Sequence, residues 1–321
     1  MKSEERKRVG TLKKGLLSGL KTTWLLGKII VPVTLIVTVL KYTPILPWVT
    51  QFIEPLMQLI GLPGDAAVPL VLGNFLNLYA AIGAIITLKL SVKEVFILAV
   101  MLSFSHNLLV ETSVASRVGI RTLLVLGVRL GLAIVSAIVI HFFWDGGKEA
   151  AEYGLVSAAD THLQGWSNII LHAMENAAFG VLQLAMIAIP LMVGIQFLKD
   201  YGFLAVFSKW MSPFTRMLGM KENTSTTLAA GLFFGLAFGA GVMIQAVKED
   251  GVEKRDLVLA FIFLIACHAV IEDTLIFVPL GIPVLPLLLI RLIVAVLLTV
   301  MVSVVWRNKD IHQRKELVHE N

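Results

Sequence analysis

Residues 103–120 read SFSHNLLVETSVASRVGI, and residues 265–282 read IACHAVIEDTLIFVPLGI. The second stretch answers the first at a fixed offset of 162: His106 matches His268, Glu111 matches Asp273 and Gly119 matches Gly281, and Arg129 and Arg291 continue the register downstream. Both stretches are set in sequence apolar enough to lie in a bilayer. Ionisable groups are expensive there, so a pattern written twice at one spacing marks a functional centre.

The register extends outward from these residues. At the same offset Thr112 pairs with Thr274, Ile120 with Ile282, Leu130 with Leu292 and Ala133 with Ala295. Upstream the offset is 158, where Pro32 meets Pro190, Lys41 meets Lys199, Pro55 meets Pro213, Gly61 meets Gly219 and Gly73 meets Gly231. A small insertion near Lys248 to Lys254 reconciles the two offsets. Leucines align by chance between apolar segments, but prolines, glycines, histidines and arginines in register do not. The reading is a tandem duplication, roughly residues 22–143 and 180–305.

Composition sets the class. With 57% hydrophobic and 15% charged residues and a mean hydropathy of +0.85, the chain is expected to be an all-α integral membrane protein rather than a soluble domain. The basic balance, 27 Lys and Arg against 22 Asp and Glu, sits in membrane-flanking positions. It forms no stripe interleaved with aromatics, so a nucleic-acid partner is not expected. The single cysteine, Cys267, excludes an internal disulfide and a cysteine-rich metal site. No cofactor is implied.

Breakers divide each repeat into five apolar segments, which predicts about eight to ten membrane segments in all: near 22–41, 45–62, 66–88, 93–113 and 119–143, then 180–198, 202–219, 226–247, 256–276 and 284–305. At about 20 residues most are long enough to cross. The 45–62 and 202–219 segments carry Pro47, Gln51, Glu54 and Pro55, or Lys209, Pro213 and Arg216, and fit a poor span or a helix in the interface equally well. Residues 1–21 form a basic cytoplasmic segment, with a short amphipathic lead-in over 13–20, and 306–321 a basic cytoplasmic tail. The connector, 144–179, has an acidic stretch over 145–165 and is placed outside. Each half then crosses an odd number of times, which gives the repeats opposite orientation, the arrangement of many secondary transporters.

The candidate site residues are His106, Asn107, Glu111, Thr112 and Arg129 in the first half and His268, Glu272, Asp273, Thr274 and Arg291 in the second, joined by Asn74 and Asn77. Leu232 and Gly235 stand where the second half would match those asparagines, an asymmetry that suits a site in which one half contacts a ligand. On one continuous helix His106 and Glu111 would point well apart, so the repeated five-residue spacing predicts a discontinuous element, with Gly119 and Gly281 as breakers. Irregular backbone at that depth must be buried or line a cavity. A purely structural arrangement would pair each histidine with its own carboxylate and use each arginine to cap a neighbouring helix end.

The chain resembles membrane proteins that carry the gate, or nucleoside-recognition, domain. The resemblance rests on the proline of the first helix, the GLPG and GMKE turns at Gly61 and Gly219, the glycine-bearing third segment, and HNLLVET and HAVIEDT in the fourth. That domain is shared by concentrative nucleoside transporters, the membrane part of bacterial ferrous-iron transporters and spore maturation proteins. The resemblance implies a multi-pass protein of the bacterial cytoplasmic membrane, not an enzyme. Its expected role is a secondary transporter or permease for a small polar or ionic solute: a nucleoside-like compound, an organic anion or a divalent metal. Imidazole and carboxylate at membrane depth are suited to proton coupling. The alternative is a non-transporting assembly or regulatory protein of the spore-maturation kind. The expected partners are the solute and membrane lipid, with a homo-oligomer as a compatible assembly.

Overall fold

The computed structural model describes residues 2–117, 119–155, 165–236 and 251–319. Residues 237–250, where the repeat register changes, and most of the second half of the acidic connector lie outside them. The described residues are helical with no strand, and the only extended pairing is an isolated bridge between Ser91 and Ala150. Among the described residues five helical stretches are long and apolar enough to cross a membrane, within Glu4–Leu40, Val92–Arg117, Thr122–Phe143, Trp166–Asp200 and Val284–Arg307, the second of them interrupted after Ser105. Among the other segments read from the sequence, 66–88 and 256–276 are interrupted, 45–62 and 202–219 hold single shorter helices, and 226–247 runs into residues outside the described ones.

In chain order the helices are α1 (Lys2–Lys41), α2 (Ile45–Gln58), α3 (Ala67–Phe75), α4 (Leu78–Ile85), α5 (Val92–Ser105), α6 (Leu108–Arg117), α7 (Thr122–Phe143), α8 (Trp166–Asp200), α9 (Phe203–Met217), α10 (225–236), α11 (Lys254–Ala266), α12 (Glu272–Leu275) and α13 (Val284–His319). The basic N-terminal stretch is no separate lead-in; it continues into the first span as one 40-residue helix. Burial sorts the spans. The apolar window of Val92–Arg117 is 83% buried, whereas those of Thr122–Phe143 and Val284–Arg307 are 28% and 22% buried and offer apolar faces to lipid.

The chain forms two compact units, each assembled from both repeats. Unit 1 comprises Met1–Leu109, Arg129–Tyr201 and Glu272–Leu287; unit 2 comprises Val110–Val128, Gly202–Ile271 and Leu288–Asn321. The chain changes unit after Leu109 and again after Ile271, which are repeat counterparts.

In unit 1, α1 and α8 run antiparallel along one another. Gly15 lies against Val193, Gly19 against Ile189 and Gly27 against Val181. A Cβ at Gly15 or Gly19 would come within 2.7 or 2.8 Å of the facing Cα, so glycine lets the two backbones touch. Thr11 and Lys14 meet Asp200 at one end of this pair. The connector folds back within unit 1: Ala151 N–H donates to the Leu90 carbonyl, Val92 N–H to the Glu149 carbonyl, and Leu155 N–H to Gln183 Oε1. Burial in this connector pushes the Tyr153 hydroxyl well above its ordinary pKa.

Helices α2 and α9, the segments with the weakest claim to cross, have 14 and 15 residues. That is about 21–23 Å of helix against roughly 30 Å of hydrocarbon. Neither is long enough to cross. Trp48, Phe52 and Leu56 on α2, and Trp210 and Met217 on α9, are exposed, as suits helices lying at an interface.

Candidate functional site

The third segment of the first half, read as one helix over 66–88, is two. Leu76 and Asn77 leave helical geometry between α3 and α4, and the Asn77 side chain caps α4 by accepting from Ala80 N–H at 3.0 Å. In the second half the matching residue is Gly235, with φ +72°. The short helices leave backbone groups unsatisfied at their ends, and those groups must find partners inside the protein.

The fourth segment breaks as well, and at the histidine rather than at the downstream glycine. Helix α5 ends at Ser105, His106 is extended at ψ 157°, and Asn107 takes φ +52° before α6 begins. In the second half α11 ends at Ala266, and Ala269 takes φ +42° before α12. Asn107 and Ala269 are the described non-glycine residues with positive φ, and they are repeat counterparts. Such a conformation strains an L-residue and persists where the surroundings over-determine it. Gly119 and Gly281, with φ +85° and +68°, act later, ending the elements beyond the carboxylates.

The broken segments satisfy one another. Asn107 N–H donates to the Gly73 carbonyl at 2.8 Å, and Ala269 N–H donates to the Gly231 carbonyl at 3.1 Å, equivalent bonds in units 1 and 2. In each unit the glycine also makes room for a leucine: a Cβ at Gly73 would strike Leu102, and one at Gly231 would strike Leu264. The arginines complete the seal. Arg129 donates to the carbonyls of Phe104 (2.7 Å) and His106 (2.6 Å), and Arg291 to that of His268 (2.6 Å). Both arginine side chains are fully buried, so each carries its charge to carbonyls left over by a helix break.

The histidines are fixed by the same symmetry. His106 Nδ1 lies 2.8 Å from the Leu102 carbonyl and His268 Nδ1 lies 2.7 Å from the Leu264 carbonyl. Their Nε2 atoms face carboxylates of the opposite repeat. In unit 1, His106 lies 4.0 Å from Asp273. In unit 2, His268 lies 3.2 Å from Glu111. All four residues are at least 94% buried.

Pairing of each histidine with its own carboxylate is therefore not what the fold does. After each histidine the chain passes into the other unit and delivers its carboxylate there. Capping of helix ends by the arginines, by contrast, is what the structure shows.

The remaining candidates fall into place around these pairs. Glu272 accepts a hydrogen bond from the Tyr79 hydroxyl at 2.6 Å in unit 1. Sequence reasoning missed Tyr79, although it stands two residues beyond Asn77 in a segment already singled out. Asn74 donates to the Leu70 carbonyl on its own helix, and its Oδ1 lacks a hydrogen-bond partner. Thr274 in unit 1 and Thr112 in unit 2 are buried, and neither hydroxyl has a hydrogen-bond partner among the described residues. Asn107 contributes through its backbone. Among the described residues, neither unit by itself gathers three metal-ligating side chains.

The Gate family, described as nucleoside recognition, matches residues 23–121 and 181–288. These blocks begin 158 positions apart, the offset that relates Pro32 to Pro190. The chain belongs to the Gate family. A curated relative, the uncharacterized membrane protein YvoD of Bacillus subtilis (strain 168), is 61% identical over 293 residues, covering 91% of this chain and 94% of the relative. No solved structure matches the chain significantly. As a Gate-family member with five apolar helices of spanning length, it is a multi-pass membrane protein.

Proposed function

We propose that the protein is a secondary transporter or permease for a small polar or ionic solute, with both termini in the cytoplasm and the acidic connector outside a bacterial cytoplasmic membrane. One observation carries the reading: each unit buries an imidazole facing a carboxylate, next to two helix breaks and an unsatisfied threonine hydroxyl. Unsatisfied buried polar groups are rare where packing alone is served, and their recurrence in both units supports a site that a solute completes. The family's description as nucleoside recognition makes a nucleoside-like solute the first candidate, ahead of organic anions and divalent metals. Antiparallel packing of α1 and α8, whose prolines correspond in the repeat, supports halves of opposite orientation. The reading is of a carrier rather than an enzyme, surrounded by lipid and compatible with a homo-oligomer.

Burial of the pairs favours the second reading, a non-transporting assembly protein of the spore-maturation kind: His268 is 1% exposed. A thermal-shift screen of purified protein against nucleosides, organic anions and divalent metals separates the two. Binding at 100 times Kd stabilises by about 2.7 kcal/mol, and the same solute should then move across proteoliposomes. Absence of both stabilisation and flux for every class rejects transport. For the topology, cysteines placed at Ser3 and Ser157 in a Cys267→Ala background should differ in labelling by an impermeant reagent in intact cells; equal labelling contradicts it.

A further inference from the structure

We propose that the apolar cavity of unit 2 is a binding site for one acyl chain of a membrane phospholipid, which enters from the lipid side between α9 and α13. The inference rests on the protein's place in a membrane and does not depend on transport.

The cavity exists because α9 is held off the rest of its unit. Phe207, Met211 and Phe214 recur at intervals of four and three residues, so they share one face of that helix. Phe207 meets Phe233 of α10 edge to face with 4.7 Å between ring centroids, and Phe214 meets Phe263 of α11 in the same way at 5.6 Å. Such contacts fix the orientation of the rings. The two phenylalanines of α9 stand about 10 Å apart along the helix axis, and Met211, between them, lines the space together with Leu232. Its volume of about 310 Å³ lies at the lower end of the roughly 300–1,000 Å³ that small-ligand pockets occupy.

Duplication alone does not produce this cavity. Where the second repeat has Phe214 and Phe263 the first has Leu56 and Met101, so the second aromatic pair has no equivalent in unit 1, and Leu56 is exposed.

The lining selects the chemistry of the occupant. Every described side chain around the cavity is apolar, whereas a buried water needs about two to four polar partners and a polar solute needs more. The mouth selects the source. Leu292 of α13 and Ile271 both line the cavity and are exposed. Leu292 also belongs to a stripe along α13 with Leu285, Leu289 and Ile293, all of them exposed. The apolar window of that span is only 22% buried, so the medium at the mouth is hydrocarbon and an acyl chain reaches the cavity without leaving the bilayer. Lipid tails are as apolar as leucine, so the site holds its chain by close packing against rings fixed in place rather than by removal from water.

The test uses the full chain in nanodiscs of phosphatidylcholine in which one acyl chain carries a terminal diazirine. After irradiation, peptide mass spectrometry locates the adducts. Wild type should be labelled on Met211, Phe233 and Phe263 inside the cavity as well as on the outward-facing Leu289 and Leu297. Leu232→Phe, which fills the cavity, should lose the inner adducts and keep the outer ones. Should that variant fail to fold, Met211→Trp fills the same space from α9 and should lose the adducts on Phe233 and Phe263. Labelling confined to the outer leucines in wild type overturns the proposal. So does inner labelling that survives in a folded, filled variant, and so does a cross-link from the cavity to a second copy of the chain in place of the lipid adduct.

Discussion

Units 1 and 2 have the same backbone skeleton and different linings. In both, a break after the histidine donates to a glycine carbonyl, an arginine seals the histidine carbonyl, and a leucine four residues before the histidine fits against the glycine. Around that skeleton unit 1 places Asn74, Asn77, Tyr79 and Glu272. Unit 2 has an apolar cavity of about 310 Å³ lined by Phe207, Phe214, Phe233, Phe263 and Leu232 among others. Unit 2's histidine–carboxylate pair is close at 3.2 Å and unit 1's is wider at 4.0 Å. Duplication is retained where backbone groups must be satisfied and has drifted in the side chains around them. Unit 1 is thus the polar half of the design and unit 2 the apolar half.

The shared skeleton is broken most severely through its arginines. Arg129→Met and Arg291→Met should each cost about 1.5–3 kcal/mol for every charge-assisted bond lost, the largest drops in melting temperature in the set. A loss confined to one unit would show that the skeleton is not shared. Gly73→Ala and Gly231→Ala should follow at roughly 1–3 kcal/mol, because the new methyl drives into Leu102 or Leu264; a neutral result at either would mean that the leucine has room to turn.

The histidine–carboxylate pairs sharpen the contrast. Both Glu111→Gln and Asp273→Asn should abolish the response to solute, but the closer pair should lose more stability, up to about 3 kcal/mol, than the wider one. Calorimetry beside a binding assay checks this, and retained solute response in both variants would remove the carboxylates from the site. The smallest effects belong to the linings. Leu232→Asn places an amide in an apolar cavity at about 1–2 kcal/mol. Asn74→Leu should stay within about 0.5 kcal/mol, since its Oδ1 already lacks a partner, while altering solute preference. Equal stability changes in these two variants would erase the distinction between the halves.

Much of this was legible beforehand for physical reasons. Helix content and membrane class follow from composition, since a bilayer accepts few other structures. The residues of the centre stood out because His106, Glu111 and Arg129 are improbable in apolar sequence and recur as His268, Asp273 and Arg291. The break at 76–77 was less visible, because Asn77 works as a helix cap in one half while its counterpart in the other is Gly235, with a positive φ. Tyr79 was hidden because its partner, Glu272, lies 193 residues away.

By itself the sequence picked out two equivalent sets of ionisable residues in apolar segments and pointed to a discontinuous element, since one regular helix would set residues five apart well off a common face. Spacing along a chain is a local quantity, and local geometry suffices to suggest a break. Which carboxylate each histidine meets was decided only by the tertiary structure. The chain leaves its unit just after Leu109 and Ile271, so contact partners are set by where the two chain crossings lead, a non-local property that the matching residues of two repeats cannot encode.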